Sequence, residues 1–260
     1  MNNKEINNNK NNIKEKKDNK NDKIDIVMGD PKIAIRKLSW PIMVSMLVTF
    51  AYNLADTVWV AGLGTDSLAA LGFFMPIFLI IISLGNGVGA GTNSLIARAI
   101  GAKDKKKADN VAIHGILITV IISIIAPILL IFFLNNILLL MGAGSVAPLT
   151  SQYARIILIG LLVLLLPAVG TSILRSEGDV NRAMNVMIIT AILNIILDPI
   201  FIYVLKLGLA GAGYATLISS AISTMIIFYW LLVKKDTYLN ISREDFDSLG
   251  NLAFTLSKAE

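Results

Sequence analysis

The sequence predicts an all-α membrane protein of six transmembrane helices behind a disordered polar N-terminal tail. Three observations carry this. The chain has 260 residues, 55% of them hydrophobic and 16% charged, and its mean hydropathy is +0.70, far too apolar for a soluble domain of this size. The charges are not spread evenly: they gather in the first 37 residues, in the breaks between apolar runs, and after Lys234. The apolar runs, at about 38–63, 68–98, 108–134, 150–174, 183–205 and 209–233, all reach the roughly 20 residues that a helix needs to cross a bilayer.

The N-terminal MNNKEINNNKNNIKEKKDNKNDK is Asn/Lys-rich and low in complexity. It cannot bury enough apolar surface to order itself and carries no cleavable signal, so 1–31 reads as a disordered cytoplasmic tail. Span one holds Pro41 near its start and Asp56 towards its end. Span two carries Pro76 and the glycines 85, 87, 89 and 91, which let helices approach closely. Its run GNGVGAGT has no Lys at the place a phosphate loop requires and no preceding strand, which excludes nucleotide binding there. Span three opens with His114, the only histidine, which cannot make a zinc site alone. Span four has Arg155 near its start, read as snorkelling to the interface, and Pro167 inside. Span five holds Thr190, Asn194, Asp198 and Pro199; span six carries the hydroxyl stripe Thr216, Ser219, Ser220, Ser223 and Thr224. Each proline removes a backbone hydrogen bond and permits bending. Trp40, Trp59 and Trp230 stand near span ends as interface anchors.

The loops fix an expected orientation. Lys103, Lys105, Lys106 and Lys107 follow span two, Arg175 and Arg182 flank the loop after span four, and Lys234 and Lys235 follow span six. The loops at 62–67 and 135–148 have no Lys or Arg, and the last one has only Lys206. The positive-inside rule then places both termini in the cytoplasm of a multi-pass protein of the cell membrane. The net charge of +5 is explained by these topology signals; no basic stripe interleaves with stacking aromatics, which argues against nucleic acid. With no cysteine, disulfides and thiolate metal sites are excluded.

The chemistry lies in two misplaced carboxylates. An acid at the centre of a span costs about 2.5–3.5 kcal/mol even on lenient scales, so an intramembrane Asp is a functional candidate by default. Thr49, Tyr52, Asn53 and Asp56 share one face of span one, while Thr190, Asn194 and Asp198 recur every four residues on span five. Counted from the cytoplasmic ends, both acids lie about two-thirds to three-quarters of the way across. This places one shared site between spans one and five. Such a pair titrates as a unit; it accepts a proton, or binds Na+ with help from amide, hydroxyl and backbone oxygens. No hydrolase motif surrounds either Asp, so the chain does not read as an enzyme, and no cofactor is expected. A weak internal echo relates the two spans: each has an Asn a few residues before its Asp and then runs into a glycine-containing loop.

These residues resemble the N-terminal half of a multidrug and toxic compound extrusion (MATE) transporter. The matching features run in order: Pro41; YNLADTVWVAGLG with LAALG behind it; GNGVGAGTNSLIARAIGAKD and its basic loop; ILRSEGDVNRAM; NIILDPIFIY; and LAGAGYAT. The resemblance covers about 30–240. It implies a cation-coupled antiporter that exports cationic, lipophilic compounds in exchange for H+ or Na+. The family pattern puts the coupling residues on Asp56, Asn194, Asp198 and Thr216, and a bending proline on Pro41. Tyr52, Asn53, Thr190 and Ser220 join Pro41 as expected cavity and gating residues. Where the family has a further amide near the end of span four, this sequence has Thr171 or Ser172.

Family members have twelve spans in two pseudo-symmetric lobes, so 32–235 is expected to form one six-helix lobe and 236–260, with ISREDFDSL, an inter-lobe linker at a point of truncation. A half-transporter working as a dimer, or a degenerate gene product, would have the same length. Expected partners are membrane lipids and a C-terminal lobe or second half-transporter. The rival functions are a lipid-linked oligosaccharide or polysaccharide flippase of the same superfamily, which would need basic residues in its cavity where these spans offer only Arg155, and a non-transporting membrane scaffold.

Overall fold

A computed structural model describes residues 31–234, all of whose regular elements are helical. The expected tail, but for Pro31, and the expected linker lie outside the described residues. The elements are α1 (Pro31–Ala61), α2 (Thr65–Gly101), α3 (Lys105–Leu140), α4 (Ala147–Ile159), α5 (Leu161–Ser176), α6 (Val180–Pro199) and α7 (Leu209–Phe228). A 3₁₀ turn, Gly144–Val146, precedes α4, and π-helical turns extend α6 over Ile200–Val204 and α7 over Tyr229–Lys234. Five helices are each long and apolar enough to cross a membrane; α4 and α5 make a sixth crossing as a pair bent by 53°. The protein is therefore a multi-pass membrane protein with spans four, five and six in α4–α5, α6 and α7.

The helices run beyond the apolar stretches at their ends, where polar caps extend them. Asp104 starts α3 by accepting from the Lys107 backbone N–H at 3.0 Å, and Asp179 starts α6 by accepting from that of Arg182 at 3.3 Å, so one orphan donor of each first turn is satisfied. α5 ends on a left-handed residue, Gly178 (φ +79°), where the Asp179 N–H closes onto the Leu174 carbonyl at 2.9 Å.

The break in span four is absent from the sequence pattern. It falls at Gly160, where an added Cβ would collide with Leu217 of α7. Further along, Pro167 has no N–H for the Val163 carbonyl, which instead accepts from Thr224 Oγ1 of α7 at 3.3 Å. Close approach is also visible where Gly85 and Gly89 of α2 meet α5: added Cβ atoms would stand 2.7 Å from Leu165 Cδ2 and 2.7 Å from Ser172 Oγ. Gly87 and Gly91, on the other face, meet nothing.

Two buried clusters hold the bundle. One joins α2, α3, α4 and α5 around Phe74, Leu134, Leu158 and Leu161. The other lies at the end bearing the basic loops, around Ile96, Ala112, Ile173, Val186 and Ile227. Among the described side chains, α1 contributes only Val60 to the buried members of either cluster. It packs along α6 and leaves Met46, Leu47, Phe50 and Leu54 exposed, as suits a helix whose outer face meets hydrocarbon or another helical surface.

Candidate ion and substrate site

The polar face of α1 is a ladder of side chains bonded back to the preceding turn. Ser45 donates to the Pro41 carbonyl, Thr49 to Ser45, Asn53 to Thr49 and Thr57 to Asn53, each at 2.8 Å. Such bonds satisfy polar groups without an external partner and tend to bend helices. Asp56 has no place in the ladder. With Tyr52 and Asn53 it lines a cavity of about 30 Å³ that Phe74 of α2, Tyr153 of α4 and Thr216 of α7 close. This is room for one or two waters or a bare cation.

Facing it, α6 presents Thr190, Asn194 and Asp198 to α7. Asp198 is 0% exposed. In the amide orientation that satisfies both ends, Asn194 Nδ2 donates to Asp198 Oδ2 at 2.7 Å, while its oxygen accepts from Thr216 Oγ1 at 3.3 Å. Thr190 Oγ1 donates to the Val186 carbonyl at 2.7 Å and is hydrogen-bonded to Ser223 Oγ. Ser219 and Ser223 are wholly buried and continue this seam.

The two acids are connected through shared neighbours. Asp56 lines the small cavity; Asp198 is joined to its wall through Asn194 and Thr216. Oδ1 of Asp56 and Oδ1 of Asp198 are both buried without a partner among the described residues. An unmet buried carboxylate oxygen is costly, and two of them together suit a proton or a hard cation taken up from outside the chain. The nearby donor set of carboxylates and hydroxyls consists of oxygens, which fits Na+. No group of three or more His, Cys, Asp or Glu forms among the described residues.

A second cavity of about 270 Å³ opens towards the basic end, lined by Thr49 and Tyr52 of α1, Asn86 of α2, Arg175 of α5 and Thr190 of α6. Tyr52 belongs to both cavities. Thr171 and Ser172, standing where the family amide was expected, line this second cavity and not the acidic one. Pro41 and Ser220 are buried and line neither.

Arg155 is exposed, in keeping with a snorkelling side chain, and lines an open pocket of about 620 Å³ with Asn135 and Gln152; Arg175, which a position one turn from Gly178 had made look like a topology signal, lines the cavity shared with α1 and α6. Trp59 is half-buried: its carbonyl accepts from Tyr203 Oη at 2.6 Å and the two rings meet edge to face at 6.3 Å, which gives it a packing role. Tyr153 gave no polar signal in an apolar run, yet it is buried against Phe74, with ring centroids 5.2 Å apart, and faces Asp56.

Comparison with known proteins identifies a family. The MatE family model matches residues 41–200. The FAD transporter of Shewanella oneidensis is 33% identical over 202 residues, which are 76% of this chain and 45% of the relative. The probable multidrug resistance protein YoeA of Bacillus subtilis is 31% identical over 66% of this chain and 38% of its own length. A solved structure from Pyrococcus furiosus, described as a MOP superfamily transporter whose reversed pocket polarity suggests a different function, superposes with TM-score 0.83 at 48% identity. It covers 86% of this chain and 50% of its own. The chain thus spans about half the length of the relatives it matches.

Proposed function

The chain belongs to the MATE family, and we propose that it is the N-terminal lobe of a cation-coupled exporter of lipophilic cations, cooperating with a second lobe. The observation that carries the reading is the pair of unpartnered carboxylate oxygens on Asp56 and Asp198, held across the α1–α6 contact beside a cavity of ion size. H+ or Na+ is the coupling ion. The basic loops put both termini in the cytoplasm and the acids towards the outer leaflet, where an incoming ion reaches them first.

Binding of that ion removes or offsets charge at the pair. The back-bonded face of α1, with Pro41 at its base, then bends or shifts, changing the wall of the larger cavity that Thr49 and Tyr52 share with Thr190. Drug release follows because the ion favours one state over the other in free energy, which alternating access requires. Asn194 and Thr216 orient the Asp198 carboxylate. The chemistry is transport and not catalysis.

The test is ethidium efflux driven by an imposed proton or sodium gradient, with the chain joined to a second lobe in proteoliposomes. Asp198→Asn is expected to abolish gradient-driven efflux while leaving ethidium binding within about threefold. Full coupled efflux by that variant would refute the assignment. One observation favours a second reading, the export or flipping of anionic cargo: Arg175 lines the larger cavity, and one relative is named for transport of FAD, an anion. A non-transporting scaffold would tolerate Asp56→Asn and Asp198→Asn together without any transport phenotype.

A further inference from the structure

We propose that the larger cavity contains an anion subsite at Arg175, which takes the phosphate or carboxylate of an amphipathic molecule whose apolar body lies between Tyr52 and the wall formed by Pro167, Ala168 and Val186. This rests on the reading of that cavity as part of the transport path.

Arg175 projects from the last turn of α5 into a space of about 270 Å³. A guanidinium has five N–H donors and no acceptor, and it keeps its charge. Here its Nε is buried with no partner among the described residues. Among the described residues its Nη2 finds only Met187 Sδ, at 3.2 Å, a weak acceptor. No carboxylate among the described residues pairs with it, although Glu177 and Asp179 stand within four positions of it in the chain; Asp179 is turned to Arg182 at 3.3 Å. A charged planar fork that is partly dried and left unpaired is a poor structural element, because unsatisfied buried charge costs stability. It is a good receptor for two anionic oxygens presented side by side.

The surroundings fit the rest of such a ligand. Ser172 and Asn86 add hydroxyl and amide groups, while Pro167, Ala168 and Val186 supply apolar wall. Tyr52 stands at the junction with the acidic cavity and can stack an aromatic body. From Met187 to Asp198, α6 rises about 16 Å at roughly 1.5 Å per residue. The lobe therefore presents opposite charges at the two ends of one face: Arg175 towards the basic end, Asp56 and Asp198 towards the other. A cargo with an anionic head and a neutral or cationic body matches this polarity; a simple lipophilic cation leaves the Arg175 end unused.

The experiment measures binding of 1-naphthyl phosphate and of uncharged 1-naphthol to the full chain in phosphatidylcholine nanodiscs, by equilibrium dialysis. The phosphate should bind about tenfold or more tightly than the alcohol. Arg175→Gln should bring that ratio to about one, and Arg175→Lys, a point charge without the fork, should restore part of it. Replacing a fifth of the lipid with phosphatidylglycerol separates the sources of phosphate: competition in the wild type but not in Arg175→Gln assigns the subsite to a lipid headgroup, and no competition assigns it to a soluble ligand. Equal affinity for the two naphthyl compounds in the wild type would overturn the proposal. So would a preference that survives Arg175→Gln in protein with unchanged thermal unfolding. Asp198→Asn should leave the ratio intact, so failure of ion coupling and failure of the anion subsite are read separately.

Discussion

Among single residues, the site depends on one amide. Asn194 is 1% exposed and uses both ends, giving a hydrogen to Asp198 at 2.7 Å and taking one from Thr216 at 3.3 Å. Asn194→Leu would leave both partners buried and unmet, and should lower stability by about 1–3 kcal/mol, read as a drop in the detergent-solubilised melting temperature. Asn194→Ser, which keeps a donor and an acceptor, should lose less. The four-residue spacing of Thr190, Asn194 and Asp198 made this face readable from sequence, since such a polar stripe cannot face lipid. Arg175 and Tyr153 were not readable in the same way. An Arg beside a loop is the ordinary topology signal, and a Tyr in an apolar run is ordinary core; only the bend of span four and the packing of α4 on Phe74 turn them inward.

Between helices, the bundle repairs its own irregularities. Pro167 frees the Val163 carbonyl, and Thr224 from α7 supplies the missing donor. Thr224→Val should therefore cost about 1 kcal/mol and Thr224→Ser much less, in the same melting measurement. The six crossings follow from run length alone. The break at Gly160 does not, because a glycine in an apolar run has no meaning until Leu217 of another helix occupies the space of its missing side chain. α1 carries a proline in its interior, and the Ser45, Thr49, Asn53 and Thr57 ladder above it weakens the helix further. Pro41→Ala restores an N–H to the helix and should raise the melting temperature while slowing gradient-driven ethidium efflux at least about threefold. Unchanged efflux in a stabilised Pro41→Ala protein would remove α1 bending from the mechanism.

Across the whole molecule, the architecture separates a tightly packed part from one attached along a single face. The two buried clusters tie α2 to α7 together. α1 stands largely outside them, attached along α6, and carries one acid of the pair while α6 carries the other. A shift of α1 thus changes the distance between Asp56 and Asp198 without repacking either cluster, which is how an ion at the pair can be linked to the shape of the cavity. The mechanism turns on the two carboxylates forming one site. Infrared difference spectroscopy of carboxyl protonation reads this out, on the chain in nanodiscs titrated with acid in the presence and absence of Na+. Coupled titration is expected: Asp56→Asn shifts the carboxyl signal of Asp198, and Asp198→Asn shifts that of Asp56. Two signals that titrate independently, each unmoved by loss of the other residue, would rule out a shared site.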